Sequence, residues 1–238
     1  MALISWNQPL KNDFYLMKIA GCYSAEMGQF FMLRKDSQHM FLGRPMSVYD
    51  IEQDGILFLY RVTGQGTICL SNSKKGDTIS IHGPYGQGFP KHVQGNIALV
   101  GGGTGIAPLF YCLKQLREIA AVQKIDVYLG LNKKNTFESY FKPKTDHLFL
   151  NYGGFITDHI RYTDYQYILS CGPEIMMKKI EKKARQYQIE HFVSLEKRMA
   201  CGVGACLACT CQTKQGNKRV CKEGPVFKGR DIFYAGTP

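Results

Sequence analysis

The chain has 238 residues, 45% hydrophobic and 21% charged, enough for two compact units and a small appendage. Thirty Lys plus Arg against nineteen Asp plus Glu give a formal charge of +11, which invites a nucleic-acid reading. Nine cysteines, an odd number, behind an N-terminus without a basic-then-apolar leader argue against a secreted disulfide scaffold. The uncharged stretch at residues 96–113 is interrupted by four Gly and a Pro, so no membrane-spanning helix is expected. A soluble, cytoplasmic protein is expected, and its cysteines need another role.

Residues 1–95 read as strands. Runs rich in aromatic and aliphatic residues at 14–20, 30–34, 47–51, 55–62 and 77–82 are separated by Gly21, Gly28, Gly43-Arg44-Pro45, Gly64-Gln65-Gly66 and Gly76-Asp77. Close spacing without a long helical pattern predicts a small antiparallel barrel. Within it, Arg44-Pro45-Met46-Ser47-Val48-Tyr49 sets a cation, a hydroxyl and an aromatic ring within six residues. Leu59-Tyr60-Arg61 and Gly64-Gln65-Gly66-Thr67 add a second cation and a flexible loop. Each alone suits an ordinary strand end; together they suit a flat ring and a pyrophosphate.

The texture changes after Gly95. Ile97-Ala98-Leu99-Val100 is an apolar run typical of buried parallel strands, and a helix is predicted over 107–122. Further strands are predicted at 125–131 and 165–171, and Pro173 opens a helix over 174–187. This alternation predicts a parallel α/β unit over 96–193. Gly101-Gly102-Gly103-Thr104-Gly105-Ile106-Ala107-Pro108, between strand and helix, is not the G-x-G-x-x-G fingerprint, but it suits a phosphate or dinucleotide. Cys171-Gly172-Pro173-Glu174 falls at a strand's carboxyl end, where α/β sheets bind ligands; a packed core thiol is the plainer reading of Cys171.

From residue 194 the sequence is Gly- and Cys-rich without amphipathic period. Cys201, Cys206 and Cys209, with Cys221 following, give C-x4-C-x2-C…C, the plant-type spacing of a [2Fe–2S] cluster. Gly202 and Gly204 let the loop backbone wrap the cluster closely. Zinc sites usually pair two short C-x2-C knuckles, and only Cys206 and Cys209 have that form. Cys211 competes for the fourth position; it is expected to face away from Cys209, leaving Cys221. Cys22, Cys69 and Cys112 are expected to be small buried hydrophobes.

These motifs, in this order, resemble the ferredoxin–NADP reductase superfamily. Glu196-Lys197-Arg198-Met199-Ala200-Cys201-Gly202-Val203-Gly204-Ala205-Cys206 and Val220-Cys221-Lys222-Glu223-Gly224-Pro225-Val226-Phe227 look like the electron transfer subunits of bacterial type B dihydroorotate dehydrogenases. The resemblance covers essentially the whole chain. It implies a multidomain β and α/β fold: an antiparallel FAD-binding β-barrel (1–95), a parallel α/β nicotinamide-binding domain (96–193) and a small C-terminal [2Fe–2S] domain (194–238). It places the flavin on Arg44, Pro45, Met46, Ser47, Leu59, Tyr60, Arg61, Gly66 and Thr67, and the cluster on Cys201, Cys206, Cys209 and Cys221. The nicotinamide-facing loops fall on Gly102, Gly103, Thr104, Gly105 and Cys171, Gly172, Pro173.

The implied function is to pass electrons from an FMN-containing catalytic subunit through the cluster and FAD to NAD+, in pyrimidine synthesis. The implied assembly is a heterotetramer of two of each subunit, without nucleic acid or membrane. Two departures stand out: the extra Cys211, and only eleven residues between Cys209 and Cys221. No acid–base pair is needed; no carboxylate dyad or Ser/His constellation is expected, and the six His read as structural or surface. Two alternatives stay open. One is an electron transfer subunit of another NAD(P)H-linked complex, of hydrogenase or sulfide dehydrogenase type. The other is a zinc-stapled nucleic-acid-binding protein, against which Lys178 to Arg185 reads as the solvated side of a helix whose Ile175, Met176, Ile180 and Ala184 face a core.

Overall fold

The computed structural model describes residues 1–35 and 41–234; the last four residues of the expected third unit lie outside the described residues. The first unit contains β1 (Ala2–Pro9), β2 (Phe14–Ala20), β3 (Phe30–Arg34), β4 (Arg44–Ser47), β5 (Asp50–Glu52), β6 (Gly55–Arg61), α1 (Gln65–Ser71) and β7 (Thr78–Tyr85). They form one antiparallel sheet in the order β4-β3-β7-β1-β2-β6-β5. The two edge strands, β4 and β5, are only two residues apart in the chain. The sheet therefore has to roll until its edges meet, and Val48 and Tyr49 join them by bonding to Gln29 O and Leu57 O at 3.1 and 2.9 Å. This is why the run expected at 47–51 is broken. Ile4, Met17, Ile19, Leu33, Ile56, Phe58 and Ile79 fill the interior.

The second unit runs β8 (Gly95–Gly102), α2 (Ala107–Arg117), β9 (Val122–Leu131), α3 (Phe137–Phe141), β10 (His147–Tyr152), β11 (Tyr167–Cys171), α4 (Glu174–Gln186) and β12 (Glu190–Ser194). Its strands are parallel in the order β10-β9-β8-β11-β12. From β8 the chain winds outward through β9 to β10, then returns to β11 and winds the other way. The switch point lies between β8 and β11, and in such sheets ligands bind beyond the strand ends at that point. On α4, Met176, Ile180 and Ala184 face the core as expected, but Ile175 is 67% exposed and Glu181 is buried.

The rest forms a hairpin of β13 (Thr210–Thr213) and β14 (Gly216–Arg219), then β15 (Val226–Lys228) and α5 (Gly229–Ile232). β15 adds antiparallel to β12, with Ser194 opposite Val226, and so completes the α/β sheet. Among the described residues no helix is long and apolar enough to cross a membrane.

A polar chain lies inside the second unit, contrary to the expectation of no Ser/His constellation. Ser170 Oγ is 2.8 Å from His191 Nε2, and His191 Nδ1 is 2.9 Å from Glu181 Oε2. All three are at most 3% exposed. Burial lowers the pKa of His191; for Glu181 burial works upward, but hydrogen bonds from His191 and Arg185 outweigh it and hold the carboxyl below the usual range. With Ser170 fully buried, the bonded chain ties β11, β12 and α4 together.

The barrel and the α/β unit meet where the Tyr49 ring stacks on Phe110 of α2, centroids 4.6 Å apart and 10° from parallel. Lys114 reaches Asp50 at 2.6 Å beside them. Tyr49→Ala should cost about 3–5 kcal/mol through the cavity it leaves. That corresponds to roughly 6–20 °C in the unfolding midpoint of the cofactor-free protein, measured by circular dichroism. Tyr49→Phe keeps the stack and should cost under about 1.5 kcal/mol.

Candidate redox site

The glycine loop and the Cys171 loop stand side by side at the switch point, Gly101 opposite Cys171 in the β8–β11 register. Gly103 to Ile106 forms one 3-10 turn leading into α2, with Pro108 in the first turn. The two loops pack backbone to backbone: a Cβ on Gly105 would collide with the Cys171 carbonyl oxygen. Cys171 is buried, and burial pushes its thiol up, the nearby Glu196 charge acting the same way. It lies under the site; Gly172 and Pro173 form the surface.

Between barrel and α/β unit is a cavity of about 400 Å³. Pro45, Met46, Ser47, Leu59, Tyr60 and Arg61 line it, joined by Thr104 and by Glu196 and Met199 from the C-terminal segment. Tyr60 offers its main chain, because its buried ring stacks on Tyr15 and its hydroxyl donates to Asn7 Oδ1 at 3.0 Å. Arg44, Gly66 and Thr67 form a separate group beside the cavity. The Arg44 guanidinium lies so close on Gly66 that a Cβ there would strike Nε. The stretch expected as a flexible loop is instead the ordered first turn of α1: Thr67 Oγ1 accepts from the Thr63 and Gly64 amides at 2.9 and 3.1 Å. Tyr49, expected to help hold a flat ring, is turned inward onto Phe110 and takes no part.

A second cavity of about 580 Å³ adjoins the first, sharing Arg61 and Thr104 with it. Gly102, Gly103 and Pro173 line it, along with residues not expected from sequence: Phe155, Ile175 and Lys179. Phe155 is 61% exposed, and the Lys179 ammonium stands 4.0 Å from its ring centroid. Such apolar exposure at a cleft, next to cations, suits an aromatic, phosphate-bearing ligand. Phe155 belongs to no period or motif, and Ile175 sits within the apolar period of α4, so the sequence marks neither as lining a cleft.

At the join, Thr104 Oγ1 donates to both carboxylate oxygens of Glu196, at 3.3 and 3.4 Å. Glu196 lines the smaller cavity and is exposed there, and crowding by protein on its other sides pushes its carboxyl above the usual glutamate range.

The cysteines form two close pairs. The Cys206 amide points at Cys201 Sγ and the Cys221 amide at Cys209 Sγ, each at 3.4 Å. Among the described residues, no three Cys, His, Asp or Glu side chains converge on a single-ion position. Two thiols per iron is the arrangement that a binuclear cluster needs. The loop fits an anionic group: amides of Cys206, Val203 and Ala205 converge on Cys201 and lower its thiol pKa to about 6. Gly202 and Gly204, at φ 73° and 85°, turn those amides inward.

Cys211 does not face away from Cys209. Both are buried, with Thr210 exposed between them, because residues two apart in extended chain share a face. What separates Cys211 from Cys221 is pairing, since it is Cys221 that stands beside Cys209. Of the other three cysteines, Cys112 is buried as expected, whereas Cys22 is exposed and Cys69 half-buried.

Residues 196–233 match the family model for the iron-sulfur cluster binding domain of dihydroorotate dehydrogenase B. The chain is 41% identical over 235 residues to the dihydroorotate dehydrogenase B (NAD(+)) electron transfer subunit of Clostridium acetobutylicum, covering 95% of this chain and 94% of that one. The chain belongs to this family of electron transfer subunits. The counterpart from Clostridium perfringens is 39% identical, with 96% of this chain and 95% of that one covered. A chain of the solved NADH-dependent reduced ferredoxin-NADP oxidoreductase superposes with a TM-score of 0.87 at 28% identity, over 98% of this chain and 89% of that one. The ferredoxin NADP+ reductase of Neisseria gonorrhoeae, solved with FAD and NADP, shares the fold: TM-score 0.63 at 17% identity, over 78% of this chain and 90% of that one. The chain is thus an oxidoreductase subunit with a reductase-type, FAD-binding fold and an iron–sulfur binding domain.

Two tests follow from the geometry. Cys221→Ser should abolish the visible absorbance of the cluster while Cys211→Ser retains it; the opposite pattern would reassign the fourth ligand. A nicotinamide cation bound at the join would lie beside Glu196, and in that case NAD+ should bind more tightly as pH rises through a value above the usual glutamate range. In Glu196→Gln this step should vanish; an unchanged titration would make the carboxylate a bystander.

Proposed function

We propose that this chain takes electrons from an FMN-containing, dihydroorotate-oxidising subunit and delivers them to NAD+, within de novo pyrimidine synthesis in the cytoplasm. The observation that supports this most is the sequence of sites along one path. The cysteine pairs, the 400 Å³ cavity and the 580 Å³ cleft lie in series, with Met199 lining the first cavity two residues before Cys201 and Thr104 lining both cavities. A bound [2Fe–2S] cluster supplies single electrons, a nicotinamide accepts electron pairs, and FAD exchanges both ways.

The three units divide this work as 1–95 for flavin, 96–193 for nicotinamide and 194–238 for cluster. Pro45, Met46, Ser47, Leu59, Tyr60 and Arg61 hold the flavin ring region, and Arg44, with the first turn of α1 at Gly66 and Thr67, holds its pyrophosphate. Gly102, Gly103, Thr104 and Gly105, packed on Cys171, Gly172 and Pro173, present the nicotinamide. Cys201 and Cys206 hold one iron, Cys209 and Cys221 the other. Phe30, which lines the flavin cavity, and Met32, against which Gly202 packs, lie between flavin and cluster. On the outer side, Cys206 is exposed with Val203 and Leu207 around it, the face offered to the catalytic subunit. The assembly is two copies of each subunit.

A second reading, service to another NAD(P)H-linked electron-transfer complex, draws on the 28% identical ferredoxin-NADP oxidoreductase chain. One experiment separates them. Purified with a dihydroorotate-oxidising flavoprotein, the chain should carry about two irons and one FAD and should make dihydroorotate reduce NAD+. A brown-yellow chain that carries both cofactors yet couples only to ferredoxin would favour the second reading. A colourless chain with stoichiometric zinc would overturn both.

A further inference from the structure

The tip of the β1–β2 hairpin crosses from the barrel to the loop that follows β9. In this tip Asn12 and Asp13 both adopt left-handed backbone, φ 61° and 63°, which Asn and Asp tolerate better than other side chains. The tip is firmly tied at its base: the Leu10 amide donates to Phe14 O at 2.7 Å, and the Val62 amide to Asp13 O at 2.9 Å. Two carboxamides then bond across in opposite directions. Asn12 Nδ2 donates to Lys134 O at 2.9 Å, and Asn135 Nδ2 donates to Lys11 O at 3.1 Å. Asn135 is itself fixed, its Oδ1 accepting from the Thr136 amide at 2.7 Å. Beneath this clasp Phe14 meets Phe137 of α3 edge to face, centroids 5.2 Å apart.

None of these bonds belongs to the flavin or cysteine sites. What they do hold is the 580 Å³ cleft, lined by Asn12, Asp13 and Phe14 from the barrel and by Asn132, Lys133 and Asn135 from the loop. The loop is a short irregular connection between Leu131 and Phe137, and it carries Lys133, an exposed cation, into the wall of the cleft. A loose loop would have to be ordered each time a ligand bound, at an entropic cost for every residue fixed. A clasp already made in the free protein removes that cost from binding.

We propose that Asn12 and Asn135 are positioning residues for the pyridine dinucleotide, presetting the width of the cleft and holding Lys133 against the dinucleotide's phosphates. This rests on the dinucleotide reading of the cleft. Asn12 acts through its carboxamide, and the left-handed turn serves to present it. Lys133 depends on the clasp, so their contributions to binding are coupled and do not add.

The test uses the complex loaded with FAD and cluster, in parent, Asn12→Gly, Asn135→Ala and double-variant forms. Glycine at position 12 keeps the turn and deletes only the side chain. NAD+ affinity is read by calorimetry, alongside FAD and iron content and the KM and kcat for NADH. In the double variant, Kd for NAD+ and KM for NADH should rise about tenfold, the scale of one to two net hydrogen bonds. Flavin and iron should stay full and kcat should stay within about twofold. Lys133→Ala should weaken binding in the parent and have little further effect in the double variant. Unchanged Kd and KM with full cofactors would overturn the positioning role, as would loss of FAD or iron, which would make the clasp a support of the fold. Failure of the parent to bind NAD+ would overturn the dinucleotide reading itself, and the clasp with it.

Discussion

Residues 224–226 have to satisfy two sheets at once, and the geometry of the redox path depends on that. The Gln87 amide, just past β7 of the barrel, donates to Gly224 O at 2.5 Å; the Leu195 amide, just past β12 of the α/β sheet, donates to Pro225 O at 2.9 Å. Val226 then enters the α/β sheet as β15, opposite Ser194. A two-stranded hairpin such as β13–β14 has little stability of its own. The strip after it is what fastens the cysteine loop to both larger units, five residues or fewer from Cys221. An electron path needs a fixed separation between its carriers, and here that separation is set by backbone hydrogen bonds, which cannot slide without breaking a sheet edge.

The same economy governs charge. An excess of eleven positive charges is unfavourable in a compact chain unless anions offset it. Arg44 and Arg61 stand at the region proposed for the flavin, and Lys133 and Lys179 line the cleft proposed for the dinucleotide. A thiolate-ligated oxidised cluster, roughly −2, and a flavin pyrophosphate, roughly −2, would reduce the balance substantially. The carboxylates of Glu181 and Asp126, which enter the interior, are each paired: Glu181 with His191 and Arg185, Asp126 with Lys124, Tyr165 and His147. Glu196 differs: its carboxylate meets the neutral Thr104 hydroxyl and opens on the join of the two cavities. Crowding by protein raises its pKa, and no cation stands within ion-pair distance of it among the described residues.

What the sequence made legible were features carried by local chemistry. Strands at Phe14–Ala20 and Phe30–Arg34 announce themselves by runs rich in aromatic and aliphatic residues, and both end where expected. The cysteine spacing, the glycine loop and Cys171-Gly172-Pro173 are likewise contiguous motifs, so their recognition needed no tertiary information. What stayed hidden was set by packing between distant segments. β1 contains Asn7 and Gln8, yet Asn7 Nδ2 binds Leu70 O at 2.9 Å and Asn7 Oδ1 accepts from Tyr60, so its polarity is used inside the unit. Tyr49 looked like a ligand's stacking partner because the sequence could not show Phe110 beneath it. Ser170, Glu181 and His191 are ten to twenty-one residues apart and form a chain only because β11, α4 and β12 are neighbours.

The distribution of those hidden contacts has a mechanical consequence. Among the contacts that join barrel and α/β unit, three differ in kind: an aromatic stack at Tyr49 and Phe110, backbone bonds through residues 224–226, and the Asn12–Asn135 clasp. The first is buried and non-directional, and it gives most in stability. The second is directional and fixes the cysteine loop. The third lies at the wall of the cleft, where its two neutral hydrogen bonds are worth least against unfolding and most in setting a width. Two units held only by the stack could still rock about it, and three non-equivalent contacts remove that freedom. Such rigidity would favour the affinity of a dinucleotide bound in the cleft, because a wall that is already ordered loses no further entropy when the ligand arrives.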